Sequence, residues 1–291
     1  MVSSNPLTSL HEFVVSAENN PYLAWQALLL HASCVRRSLR APTVVVHGEG
    51  PLVAGFDHLA LCGGRLQRAP SYRVGDYAPR NTAGTLECVQ TDAPYVVLLD
   101  ADLIFLDVPV WPLPGRGEAV SNLTPYLQPD DVNREPLKAA CRALGLQADT
   151  LAYGIHGGTP YLVRTEIARE LAAEWLRCID VLRSGPGSDG FRYLASMWGF
   201  VLATVRLGLH ENLVDICTWN LDGSYPLTFT GAPASLLHYC YGDALFQKHQ
   251  YSGDEAVAAA VWSLPPIDGD SAAATIRAEI AAARDFYRFS G

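Results

Sequence analysis

The segment PYVVLLDADLIFLDV constrains the fold more than any other part of the chain. Tyr95, Val96, Val97, Leu98 and Leu99 run directly into Asp100, Ala101 and Asp102. A continuous apolar run of this length, closed by acids, reads as a strand buried on both faces, which is the habit of parallel sheets covered by helices. In open α/β sheets ligands gather beyond the carboxyl ends of such strands. Two carboxylates there can share a hard divalent cation that bridges the phosphates of a substrate. The alternative role of the acids is to end the strand and start a turn. Side-by-side carboxylates repel, and a cation relieves that repulsion.

The remaining pattern agrees with an α/β chain. Residues 12–17 read as a first strand, 22–39 as a helix, 43–47 as a second strand, 82–91 as a helix and 95–99 as the buried strand. Strands separated by helical periodicity predict parallel pairing. Further on, a strand near 158–163 leads into a helix over 166–183. The segment SGPGSDG then makes a hinge before a single helix over 191–207. A short strand at 236–239 and an amphipathic helix from 271 to about 286 follow.

A second constellation lies in SLLHYCYGDALFQKHQ, where a strand ends at His238 and Lys248 follows ten residues later. A neutral imidazole completes the coordination of a divalent ion held by carboxylates, and a lysine neutralises a departing phosphate. The alternatives are a hydrogen-bonded strand-end histidine and a solvated charge.

With 21 Lys and Arg against 30 Asp and Glu, the net charge of −9 excludes a basic nucleic-acid binder. A hydrophobic fraction of 49% with 18% charged residues indicates a packed globular chain. No run of about 20 apolar residues suggests a membrane span, and the first twenty residues lack a signal-peptide pattern. The seven cysteines form no C-x-x-C pair, which argues for reduced thiols. These features predict a cytoplasmic protein without membrane or nucleic-acid partners. Its oligomeric state is left open. The Ala- and Arg-rich composition fits a bacterial source.

Taken with three further segments, D-A-D after an apolar strand resembles the GT-A glycosyltransferases that use nucleotide sugars. The likeness is to the group of hydroxyproline arabinosyltransferases and peptidyl-serine galactosyltransferases. SAENNPYLAWQALLLHAS is similar to their opening strand and helix, YAPRNTAGTLECV to their N-K-P segment, FRYLASMWGFVLATVRLGL to a helix reading roughly S-E-M-Y-G-Y, and HYCYGDALFQK to their His-to-Lys closing segment. The resemblance implies a GT-A (Rossmann-like) α/β fold, a single domain over 1–291 with a mostly parallel central sheet flanked by helices. Residues 10–123 would form the nucleotide-sugar and metal half, and residues 124–291 the acceptor half, with a closing segment at 236–248.

Carried over, the resemblance implies that Asp100, Asp102 and His238 hold Mn2+ or Mg2+ and that Lys248 contacts a diphosphate oxygen. Ser16, Glu18, Tyr22 and Gln26 would surround the nucleotide. Two departures stand out. Asn81-Thr82-Ala83 lacks the lysine of N-K-P, although Arg80 precedes it, and Ser196 replaces a glutamate. Asp189, in the hinge, is the candidate for catalysis on the sugar side, with a helix N-cap as its other role.

The implied activity is transfer from a nucleotide diphosphate sugar, UDP-linked by preference, to a hydroxyl of a small molecule or peptide, with retention. A natural-product acceptor fits. A sugar-nucleotide nucleotidyltransferase is the competing enzyme class, but the first strand leads into no glycine-rich phosphate loop. An inactive sugar-binding protein is the third reading.

Overall fold

The computed structural model describes residues 10–219, 226–240, 242 and 244–289. It is a mixed α/β structure with a seven-stranded sheet in the order β3 (Arg65–Ala69), β2 (Thr43–His47), β1 (His11–Glu18), β4 (Tyr95–Asp100), β7 (Gly157–Arg164), β6 (Glu118–Leu123), β8 (His210–Val214), and a three-stranded sheet in the order β5 (Leu103–Phe105), β10 (Leu236–His238), β9 (Cys217–Trp219). The chain divides into two compact units that interleave in sequence.

The first unit comprises Met1–Pro70, Leu99–Trp111 and Asp215–Gly291. It opens with β1 (His11–Glu18), α1 (Pro21–Arg36), β2 (Thr43–His47), α2 (Ala54–Leu61) and β3 (Arg65–Ala69), and β1–β2 and β2–β3 pair in parallel. The start of α1 follows from two residues. Asn20 accepts from the Leu23 amide at 2.8 Å, and Pro21 occupies the first turn, where its missing N–H costs nothing. From Ala24 to Cys34 the helix is buried on every side, consistent with its nearly continuous apolar sequence. Glu12 is a buried carboxylate on β1, matched by Arg65, by Arg40 at 3.1 Å and by the Thr43 hydroxyl at 2.6 Å.

The second unit comprises Ser71–Leu98 and Pro112–Val214. It contains α3 (Arg80–Cys88), β6 (Glu118–Leu123), α4 (Arg134–Ala143), β7 (Gly157–Arg164), α5 (Thr165–Ser184), α6 (Asp189–Tyr193), α7 (Ala195–Arg206) and β8 (His210–Val214), together with most of β4 (Tyr95–Asp100). Here β7 runs antiparallel to β4 and to β6, whereas β6 and β8 are parallel. The sheet therefore carries an antiparallel strand where the helix-strand alternation suggested parallel pairing.

The single helix expected over 191–207 is two helices, broken at Leu194. The cause is Tyr77. Its hydroxyl donates to the Tyr193 carbonyl at 2.9 Å and accepts from the Ser196 amide at 2.7 Å. A side chain inserted into the helical ladder in this way divides the helix.

The C-terminal helix α9 (Ala272–Tyr287) packs in the first unit and follows the short helix α8 (Glu255–Ala259). Tyr287 meets His31 of α1 there, with the hydroxyl 2.6 Å from His31 Nδ1 and also donating to the Leu28 carbonyl at 3.2 Å. Burial lowers the His31 pKa to about 4. The unfolded chain therefore binds a proton near pH 6.5 that the native state refuses, so this contribution is complete above pH 6.5 and is lost as pH falls toward 4. Between pH 7 and pH 5 the unfolding free energy of the native chain should fall by about 2 kcal/mol more than that of His31→Gln. Urea titrations at the two pH values check this, and parallel behaviour of the two proteins would contradict it.

Candidate metal and diphosphate site

The tip of β4 and two later segments of the first unit build the site. β4 ends at Asp100, a turn holds Ala101 and Asp102, and β5 (Leu103–Phe105) leaves the turn at once. β5 pairs antiparallel with β10 (Leu236–His238), which pairs in parallel with β9 (Cys217–Trp219). The register sets His238 opposite Leu103, and the Tyr239 amide donates to the Asp102 carbonyl at 3.0 Å. The Phe105 amide is anchored by Ser33 Oγ of α1 at 3.0 Å. One residue of slippage would carry His238 to the opposite face.

Within this frame His238 Nε2 donates to Asp102 Oδ1 at 3.1 Å and lies 4.0 Å from Asp100 Oδ2. Lys248, on the 3-10 turn Lys248–Tyr251, pairs with Asp102 Oδ2. Asp102, His238 and Lys248 are 9%, 6% and 8% exposed, so these charges have little water to screen them. Burial, and then the neighbouring Asp102 charge, push the Asp100 pKa up to about 6, partly offset by His238 and Lys248. Burial also opposes ionisation of Asp102, but the Lys248 charge and then His238 outweigh it and hold that carboxyl far below the usual range. For Lys248, burial alone would favour loss of the proton, and the Asp102 charge reverses that, raising its pKa.

The donor set suits a divalent cation. Asp100, Asp102 and His238 each offer one ligand atom, and these atoms lie within 4.8 Å of one another, His238 ligating through Nε2 in the tautomer whose proton sits on Nδ1. Two hard oxygens with one imidazole match Mn2+ or Mg2+, the nitrogen leaning toward a transition metal.

An aromatic wall adjoins the acids. Trp25 stacks on Tyr239 with centroids 5.9 Å apart, and its indole N–H donates to the Tyr251 carbonyl at 3.3 Å. The Tyr22 hydroxyl bonds His249 Nδ1 at 3.2 Å, and their rings stack at 6.1 Å. Gln26 is buried and donates to the Tyr22 carbonyl at 2.9 Å, so its amide braces α1. Ser16, opposite Val45, and Glu18, opposite His47, are half-buried near the end of β1. Tyr239 and His249 directly follow His238 and Lys248 in the chain, a position that is the one sequence signal marking them.

The other candidates belong to the second unit. Arg80 is committed to Asp180 through two bonds of 2.9 Å and to the Tyr72 carbonyl at 2.8 Å. Buried Asn81 accepts from the Tyr72 amide at 2.8 Å. Asp189 is an exposed first residue of α6, 3.7 Å from Arg192, and the cap of that helix is Ser188, whose side chain accepts from the Phe191 amide. Asp243 of the closing segment lies outside the described residues.

The two aspartates should respond oppositely to neutralisation in chelator-treated protein at pH 8. Asp102→Asn removes the counter-charge of a buried lysine and should lower stability by about 3 kcal/mol. Asp100 carries a raised pKa, so its charge weakens the fold above pH 6. Asp100→Asn should therefore stabilise, by about 1 kcal/mol, because water reaches 35% of that side chain and screens the repulsion. Urea unfolding measures both, and equal losses in the two variants would contradict the geometry.

No known protein-family signature matches the chain, and no curated protein matches it in sequence. Solved structures do resemble it. WbbM, a bifunctional glycosyltransferase, aligns with 96% of this chain at 12% identity and a TM-score of 0.50. This chain covers 51% of WbbM, about half its length. An active-site mutant of LgtC aligns with 88% of this chain and 97% of its own, at 13% identity and a TM-score of 0.52. The fold, mixed α/β with a central seven-stranded sheet, is of the GT-A type adopted by these glycosyltransferases.

Proposed function

We propose that the chain is a metal-dependent glycosyltransferase that moves a sugar from a nucleotide diphosphate sugar, UDP-linked by preference, to a hydroxyl of a small molecule or peptide. The observation that carries this reading is the cluster of half-buried Asp100 with buried Asp102, His238 and Lys248 at the tip of β4 in a GT-A fold. Asp100, Asp102 and His238 would hold the cation, which when bound supplies Lewis-acid stabilisation of the diphosphate leaving group.

The chain's own residues address the remaining problems. Lys248 presents an ammonium whose charge is maintained by Asp102, and an ammonium aimed at the growing charge of the departing diphosphate lowers the barrier to its loss. The Tyr22 ring, set by His249, offers a flat face for a base, and Ser16 and Glu18 offer polar contacts beside it. Retention by front-face attack follows from the resemblance to the arabinosyl- and galactosyltransferase group. Asp189 is the candidate on the sugar side. The β1–α1 link of Asn19 and Asn20 has no glycine-rich phosphate loop, which favours transfer of sugar over transfer of nucleotide. No helix among the described residues is long and apolar enough to cross a membrane, and we place the reaction in the cytoplasm.

Thermal unfolding against a panel of nucleotide sugars, with and without Mn2+, tests the reading. A donor at a hundred times its dissociation constant adds about 2.7 kcal/mol, or roughly 5–10 °C. One nucleotide sugar should give such a Mn2+-dependent shift in the native chain and none in Asp100→Asn. The absence of any shift across the panel would contradict the proposal.

A further inference from the structure

Both carboxylate oxygens of Asp102 are engaged by the chain itself. Oδ1 accepts from His238 Nε2 at 3.1 Å, and Oδ2 accepts from Lys248 Nζ. One hydrogen bond on each oxygen uses two of the roughly four lone-pair sites of the carboxylate, so a divalent ion approaching Asp102 must share it with a proton donor at Oδ1 and an ammonium at Oδ2. Among the described residues Asp102 is the acceptor of Lys248, and the ammonium is buried against it.

Formal charge shows what a lone cation would meet. Two aspartates and one lysine, with a neutral imidazole, leave one net negative charge. A divalent ion would convert this to one net positive charge where little water reaches, with an ammonium a few ångströms away repelling it. A diphosphate removes both difficulties. Its oxygens complete the coordination, and they give the ammonium a new counter-ion in place of Asp102. Lys248 carries its charge on a flexible four-carbon stem, so the ammonium can change partners by rotating about its side-chain bonds.

We propose that Lys248 is a resident counter-cation that keeps Asp102 closed to a lone metal and releases it to a metal and diphosphate arriving together. The ligand of the site is then the metal–diphosphate complex, and the affinities of its two parts are coupled reciprocally. This inference rests on the glycosyltransferase reading above. It adds a role for Lys248 before any chemistry, as a competitor of the metal for Asp102.

The test is binding of Mn2+ followed by electron paramagnetic resonance of the free ion, in the native chain, Lys248→Met and Lys248→Gln, alone and with saturating UDP, GDP or ADP. Native protein should bind Mn2+ weakly alone and about tenfold or more tightly with one of the nucleoside diphosphates. Both variants should bind Mn2+ alone about tenfold more tightly than the native chain, and the gain from nucleotide should shrink toward unity. Lys248→Gln retains a hydrogen-bond donor to Asp102 without the charge, and a cooperative thermal transition identifies folded variant. If Mn2+ and a nucleoside diphosphate bind the native chain but neither folded variant gains affinity for Mn2+ alone, the competition is overturned and the transferase reading stands. If Mn2+ binds none of the proteins under any condition, the metal-dependent reading falls and this inference falls with it.

Discussion

Two carboxylates at the end of a buried apolar strand are the constraint around which the first unit is arranged. Val96 to Leu99 are buried, so Asp100 and Asp102 emerge from a place where charge is poorly solvated. Burial, and then the Asp102 charge, raise the Asp100 pKa, and Asp102 is held ionised by a lysine 146 and a histidine 136 positions later in the chain. A pair of acids so placed is stable only with positive charge beside it. Lys248 supplies part of that charge, His238 adds a hydrogen bond to Asp102, and the remaining net negative charge is the basis for expecting a cation.

The small β5-β10-β9 sheet connects the acids to their partners. Its antiparallel register, Leu236 with Phe105 through His238 with Leu103, delivers the imidazole to the aspartates without depending on the loops around it. Ser33 on α1 anchors β5, and the Trp25, Tyr239 and Tyr251 packing secures the segment that carries Lys248. Asp100 at the end of β4, Asp102 in the turn before β5 and His238 at the end of β10 carry their groups on short side chains, whereas the lysine ammonium sits on a long stem, the adjustable part. This division suits a site that must exchange an internal counter-ion for a ligand.

Much of this was legible in the sequence, for local reasons. An apolar run ending in D-A-D announces a buried strand with acids at its tip, and the apolar strand ending at His238 announces a second element bearing a ligand. What was not legible depends on contacts between distant residues. Residues 103–105 form β5 because β10 pairs with them, and no three-residue run advertises that. Tyr77 divides the helix expected over 191–207 from more than a hundred positions away. Arg80 has the right charge beside the N-K-P-like segment, yet only the structure reveals its bidentate pairing with Asp180. Gln26 likewise reads as a polar residue near a site, whereas the helix turns its amide back onto Tyr22.

If the acids at the tip of β4 form a cation site, a bound ion must lie between the two carboxylates and His238. Anomalous diffraction at the manganese edge, from crystals grown with Mn2+ and UDP, locates it. One strong peak is expected, about 2.0–2.4 Å from an oxygen of Asp100, an oxygen of Asp102 and Nε2 of His238, with Lys248 Nζ moved from Asp102 to a phosphate oxygen. A peak elsewhere, or a UDP-bound structure in which Lys248 still occupies Asp102 and no ion touches the carboxylates, would contradict it.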